Sequence, residues 1–263
     1  MEQLTHHGRT TAYRTRGRDA DGPGLLCIHG SGGSHAVWRP QFRLAPTTPV
    51  TALDLSGHGE SDDVDAAAGF EALSAYADDV VATARAVDAD VLVGNSLGGA
   101  VALTVALERD LDLTGLVLTG TGARLAVLDD LLEWLDHDFE RAVDFLHAPD
   151  RLFHDPTDAL VEASREAMAE AGQAVTARDF RTCHEFDVRE RLDGIDTPGI
   201  AVVGSHDQLT PPWYHEYLAD ELVDCAYAEI DDAAHLAMLE RPEAFNDVVR
   251  GFLTEHVGPS QNR

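Results

Sequence analysis

Val91-Leu92-Val93-Gly94-Asn95-Ser96-Leu97-Gly98-Gly99 runs from an apolar stretch into the small-residue segment Ala100 to Leu107, so a Gly-x-Ser-x-Gly pentapeptide stands where a strand gives way to a helix. Such a junction is where a nucleophile elbow belongs. The sharp turn forces the serine into a strained backbone conformation, and close neighbours must be glycine or small to avoid clashes. A serine that merely caps a helix after a buried strand is the competing reading of the pentapeptide alone. Segments elsewhere in the chain decide between them.

Leu25 to Ile28 is an apolar strand that ends in His29-Gly30-Ser31-Gly32-Gly33, a glycine-rich loop able to aim backbone N–H groups at a developing oxyanion. Val50 to Leu53 leads into Asp54-Leu55-Ser56-Gly57-His58-Gly59-Glu60-Ser61, another strand ending in a turn. Towards the C-terminus, Ile200 to Val203 precede Gly204-Ser205-His206-Asp207, and Ala226 to Ile230 precede Asp231-Asp232-Ala233-Ala234-His235-Leu236. Pro242 then opens a closing helix to about Phe252.

HGxGG after one strand, DxxGxGxS after the next and GNSLGG after the one following resemble the serial signature of the α/β-hydrolase superfamily. The resemblance covers nearly the whole chain except about residues 121–186. It implies an α/β fold with a mostly parallel central sheet flanked by helices, and a nucleophile, acid, base order of Ser96, Asp207 and His235. It also implies an oxyanion hole built from the backbone N–H groups of Ser31 and Leu97. Asp231 and Asp232 read as solvated surface, and His29 and His58 as loop braces. Leu116 to Thr119 runs into Gly120-Thr121-Gly122-Ala123 with no carboxylate, which favours Asp207 as the acid. A serine at position 96 excludes relatives that attack with an aspartate, such as haloalkane dehalogenases and epoxide hydrolases.

The remaining segment divides the chain into a core, 1–120 with 187–263, and a helical cap, 121–186, inserted after the sixth core strand. Leu125, Leu128, Leu132, Leu135 and Phe139 recur at three- or four-residue intervals, an amphipathic helical stripe. A second cap helix is expected with Asp155 as N-cap, Pro156 at its first position and Gly172 past its end, and a third from about Thr176 through Phe186. Trp134, Phe139 and Phe145 suggest an apolar substrate pocket, joined by Leu236 beside the histidine.

GNSLGG also resembles the elbow of carbon-carbon bond hydrolases that cleave ring-fission products, in which a cap arginine holds a carboxylate; Arg178 and Arg181 are the candidates here. Those enzymes carry tryptophan after the catalytic histidine, where this chain has Leu236. The expected activity is therefore hydrolysis of a small, largely apolar carboxylic ester. Carbon-carbon, thioester and lactone hydrolysis are alternatives, and a non-turnover small-molecule receptor of the same fold is a distant one.

The 263 residues carry 47 acidic side chains against 19 basic ones, a formal charge of −28 with histidine neutral, and all 19 are arginine: lysine is absent. Self-repulsion of that size is relieved where salt shortens the screening length to a few ångströms. A halophilic host with a salt-rich cytoplasm is the expectation, with a melting temperature that rises with KCl; a GC-rich genome is the alternative, and it explains the loss of lysine better than the charge. No basic patch offsets phosphate repulsion, so no nucleic acid and no membrane is expected as a partner, only a small-molecule substrate and water. No apolar stretch reaches 18 residues. With no secretion signal in view, a cytoplasmic location is expected. Cys27, Cys183 and Cys225 are scattered thiols, and the 13 histidines show no HExxH spacing, so neither a metal nor another cofactor is expected. The tail from Gly258 to Arg263 is expected to fray.

Overall fold

The computed structural model describes residues 1–258; the rest of the C-terminal tail, residues 259–263, lies outside the described residues. One sheet of eight strands forms the centre: β1 (Glu2–His6), β2 (Arg9–Arg16), β3 (Gly24–Ile28), β4 (Val50–Leu53), β5 (Ala89–Asn95), β6 (Gly115–Thr119), β7 (Gly199–Gly204) and β8 (Cys225–Ile230). Their spatial order is β1-β2-β4-β3-β5-β6-β7-β8. The first hairpin and the β2–β4 pair are antiparallel, and every pairing from β4 to β8 is parallel.

Among the described residues eight α-helices accompany the strands: α1 (Phe70–Val87), α2 (Leu97–Glu108), α3 (Asp129–His137), α4 (Phe139–Leu146), α5 (Asp158–Glu185), α6 (Pro212–Glu221), α7 (Ala237–Glu240) and α8 (Pro242–Phe252). Burial on both faces explains why β3 reads as an apolar run and why β4 and β6 are apolar but for Thr51 and Thr119. Side chains alternate between the faces. Leu92 packs with α1 and α2, whereas Val91 and Val93 pack with Trp38, Phe245 and Val249 on the side of α8. The α2 sequence LGGAVALTVALE is apolar around its circumference because it lies buried between the sheet and neighbouring helices.

From β3 the chain moves to β4 on one side and then crosses back to β5 on the other. The loops after β3 and β5 therefore diverge, which opens a crevice at the carboxyl ends of the strands. The glycine-rich loop and the Ser96 turn occupy those two ends.

Helices α3, α4 and α5 all fall between β6 and β7, in the segment without strand patterning. Its boundaries differ from the sequence reading in three respects. Leu125 and Leu128 precede α3: the Leu125 N–H donates to Phe186 O, and Leu128 is an exposed cap residue. Thr157, not Asp155, caps α5, its side chain accepting from Leu160 N; Asp155 lies before the cap, its N–H donated to Glu240 Oε1. The two expected helices abut as one element interrupted at Gly172, whose φ of 79° only glycine adopts readily. The N-terminal hairpin β1–β2 had no counterpart in the sequence reading.

Candidate active site

Ser96 sits between β5 and α2 with φ 54° and ψ −118°, a strained conformation for a residue with a side chain. Two glycines make the turn possible. A Cβ at Gly94 would lie 2.3 Å from Gly98 O, and one at Gly98 would lie 2.2 Å from Ile28 O. The turn is braced from both directions: Ser96 N–H donates to Thr119 O (3.0 Å), and the Thr121 hydroxyl donates to Ser96 O (2.9 Å). Leu97 is the first residue of α2, where a backbone N–H has no acceptor within the helix and carries the positive end of its dipole.

Asp207 follows β7 and His235 follows β8, and the fold brings them together: His235 Nδ1 lies 2.9 Å from Asp207 Oδ2. The other carboxylate oxygen accepts from the backbone N–H groups of Leu209 (2.8 Å) and Thr210 (2.9 Å), and the Thr210 hydroxyl donates to Oδ2 at 2.8 Å. Burial alone would raise the Asp207 pKa. The adjacent His235 and the Thr210 donors outweigh it and hold the carboxyl below its ordinary range. Asn95, beside the serine, donates its side-chain amide to Thr119 O and to His235 O, both 3.3 Å, and so ties the elbow to the histidine loop.

Ser96, His235 and Ser31 all line a cavity of about 810 Å³ whose walls come from the core loops and from residues between β6 and β7. Most of the lining is apolar, with Leu131, Phe145, Leu160, Met168 and Phe180 from the helical segment and Leu236 beside the histidine. Trp134 and Phe139 stand behind this wall; the Trp134 ring packs edge-on against Phe145 with centroids 5.3 Å apart.

Neither Arg178 nor Arg181 lines the cavity. Arg178 donates to Asp63 Oδ1 (2.7 Å), Tyr76 Oη (3.1 Å) and Val64 O (3.0 Å), and Arg181 is paired with Asp136. The helical-segment arginine that does line it is Arg151, whose guanidinium lies 3.5 Å over the Phe145 ring and donates to Phe145 O. Among the described residues Arg151 makes no carboxylate pair, and its own carbonyl accepts from His235 N. Spacing gave no signal for it, because it lies in an irregular loop between α4 and α5.

The braces expected at His29 and His58 take specific forms. His29 accepts from Leu55 N (3.0 Å) and pairs with Gly30 O; burial and the nearby His58 lower its pKa to about 4. For His58, burial favours the neutral ring, yet the charge and hydrogen bond of Asp179 at 2.9 Å raise its pKa. Asp179, from α5, is fully buried and also accepts from Tyr76 Oη (2.6 Å) and Gly32 N (3.3 Å). A buried charged pair thus joins α5 to the loops after β3 and β4. Asp231 and Asp232 are exposed. The three cysteines are free.

A strand-end serine, a buried Asp-His pair and a walled apolar cavity thus meet in one place, and comparison with known proteins gives the family. Residues 25–248 match the alpha/beta hydrolase family, to which the chain belongs. It is similar to a pimeloyl-[acyl-carrier protein] methyl ester esterase of Neisseria meningitidis serogroup A, 32% identical over 89% of this chain and 79% of that protein. It is also similar to 3-oxoadipate enol-lactonase 1 of Acinetobacter baylyi, 24% identical over 94% of each. A solved thermophilic esterase superposes with a TM-score of 0.85 at 31% identity, covering 98% of both chains. The protein is an ester hydrolase of this fold. No helix among the described residues is long and apolar enough to cross a membrane.

Proposed function

We propose that the protein hydrolyses a small, largely apolar carboxylic ester through an acyl-enzyme on Ser96, with His235 as general base and Asp207 as its orienting acid. The observation that carries this is the buried hydrogen bond to Asp207 of His235, which lines the same cavity as Ser96. With Nδ1–H donated to Asp207, the imidazole keeps Nε2 free to accept the serine proton. Ser96 Oγ attacks the ester carbonyl, and the Ser31 and Leu97 N–H groups receive the oxyanion. His235 then returns the proton to the departing alkoxide. Water, deprotonated by the same imidazole, breaks the Ser96 acyl bond and releases the acid.

Residues 121–186 act as a cap that supplies the apolar wall and restricts entry to small substrates. Arg151, from the helical segment, is a cation in the cavity lining available to a carboxylate on the substrate, as is Arg39 from the core side. The carbon-carbon reading came from the GNSLGG elbow and offered Arg178 or Arg181 to hold the substrate carboxylate; both are engaged outside the lining.

Hydrolysis of short-chain p-nitrophenyl esters tests the proposal. Ser96→Ala is expected to lower kcat by about 10⁴-fold or more with folding retained. Turnover that survives in Ser96→Ala would remove the serine from the mechanism. A wild-type chain that binds but does not turn over esters, thioesters or lactones would make it a receptor.

A further inference from the structure

Outside the cavity, Asp150, His154 and His206 bring three metal-ligating atoms within 4.8 Å of one another. None of the three lines the cavity. Asp150 and His154 belong to the loop between α4 and α5, whereas His206 directly precedes Asp207 after β7. His154 Nδ1 lies 2.5 Å from Asp150 Oδ1, and His206 Nδ1 lies 3.9 Å from the same oxygen, beyond hydrogen-bond reach. The two imidazoles stack face to face, centroids 3.5 Å apart and 12° from parallel.

The backbone beneath these groups is anchored on both sides. Asp150 holds φ 61°, a conformation that a non-glycine residue adopts at a cost, while its N–H donates to Phe153 O and its carbonyl accepts from Gln208 N. The N–H groups of His154 and Asp155 both donate to Glu240 Oε1, and Glu240 Oε2 accepts from Ala234 N. His206 N–H donates to Ala233 O. Glu240 thereby fixes the loop bearing two of the groups to the loop that leads to His235.

We infer that Asp150, His154 and His206 form a binding site for a divalent late transition cation, of which Zn²⁺ is the representative, clamping the α4–α5 loop to the Asp207 loop. Two imidazoles and a carboxylate suit zinc, nickel or cobalt and disfavour magnesium and calcium, which take oxygen ligands. Ligand atoms around tetrahedral zinc lie about 3.4 Å apart, given bonds of about 2.0–2.2 Å. The three groups therefore need sub-ångström to ångström shifts. Parallel rings do not aim their lone pairs at one point, so the stack must splay on loading. His154, His206 and Asp150 are all partly exposed, leaving the side chains room to turn and an open face for water as a further ligand.

The test is calorimetric titration of the chelator-stripped full chain with ZnCl₂, in high salt with excess Mg²⁺ to cover the acidic surface, and with Co²⁺ as a spectroscopic probe. The wild type is expected to bind one equivalent at micromolar Kd or tighter. Co²⁺ should give the visible absorption of nitrogen-oxygen coordination. Zinc at a hundredfold excess over Kd should raise Tm by about 5–10 °C. His154→Gln and His206→Gln should each weaken binding at least tenfold, and the double variant should lose the Co²⁺ signal, whereas His7→Gln should change nothing. No micromolar binding by the wild type, undiminished binding in the double variant, or loss of the signal in His7→Gln would each overturn the site.

Discussion

The strand-end loops of the core and the helical segment between β6 and β7 both furnish walls of one cavity, yet they were unequally legible. In the core, Ser96, Asp207 and His235 each stand just past a parallel strand, so a short motif at a strand end places its own side chain. In the helical segment a position on a helix does not say what it faces. Phe145 reaches the cavity while Trp134 stands behind it, and Arg178 and Arg181 turn to carboxylates while Arg151, on a loop, turns to the cavity. Strand register transmits orientation over a long distance; helix packing is settled by whichever neighbours fill the gaps.

The largest effect that would sharpen this contrast lies on the core side. Asp207→Asn should fold and yet lower kcat by about 10⁴-fold, because an amide at that position stabilises the wrong imidazole tautomer. Near-normal ester turnover in that variant would send the acid role elsewhere.

Next comes the seam between the two regions. Asp179→Asn leaves the buried His58 imidazolium without its counter-charge, and breaking such a pair costs about 3–5 kcal/mol. Thermal melts should show a Tm lower by about 10 °C. An unchanged Tm would mean that α5 is held to the core by apolar packing alone.

Protons act on the same seam. His29 and His215 each have a pKa near 4 because burial disfavours the charged ring. Below about 6.5 the unfolded chain therefore takes up protons that the folded one refuses. Each histidine removes about 1.4 kcal/mol of stability per pH unit down to about pH 4. His58 has the opposite sign: its raised pKa contributes stability that is complete below 6.5 and lost as pH rises through the folded value. The depressed Asp179 contributes above about 3.8 and loses its share as pH falls through its folded value. Denaturation followed from pH 7 to pH 4 should thus show a steady decline beginning near 6.5, and a flat profile would contradict the buried neutral rings.

The smallest effect separates the arginines. Arg151→Ala is expected to raise KM about tenfold for carboxylate-bearing esters and little for neutral ones, since a charged hydrogen bond contributes about 1.5–3 kcal/mol. Arg178→Ala should leave that selectivity untouched and show its effect in Tm instead, through the lost contacts with Asp63 and Tyr76. Equal KM changes for both ester classes in Arg151→Ala would remove it from substrate recognition.

Much of the site was legible where chemistry demands a local pattern. Glycine spacing around Ser96 could be read because only small residues survive the turn, and the serial strands could be read because two-sided burial makes them largely apolar. Asn95 suggested a substrate class from its place in GNSLGG, but its amide is spent holding His235 O, which a motif cannot show. Thr210 was likewise unread as a donor to Asp207, since a threonine three residues after an acid is ordinary in any loop.

By itself, then, the sequence determined the α/β core, the order of Ser96, Asp207 and His235, and the presence of a helical insertion. These rest on local backbone geometry and on the period of apolar residues, both written along the chain. Only the tertiary structure decided which helical-segment arginine meets the cavity, that Asp179 pairs with His58, and that Asp150, His154 and His206 converge. Such pairings depend on segments far apart in sequence that sheet order and helix packing bring to one point, and no spacing along the chain encodes that point.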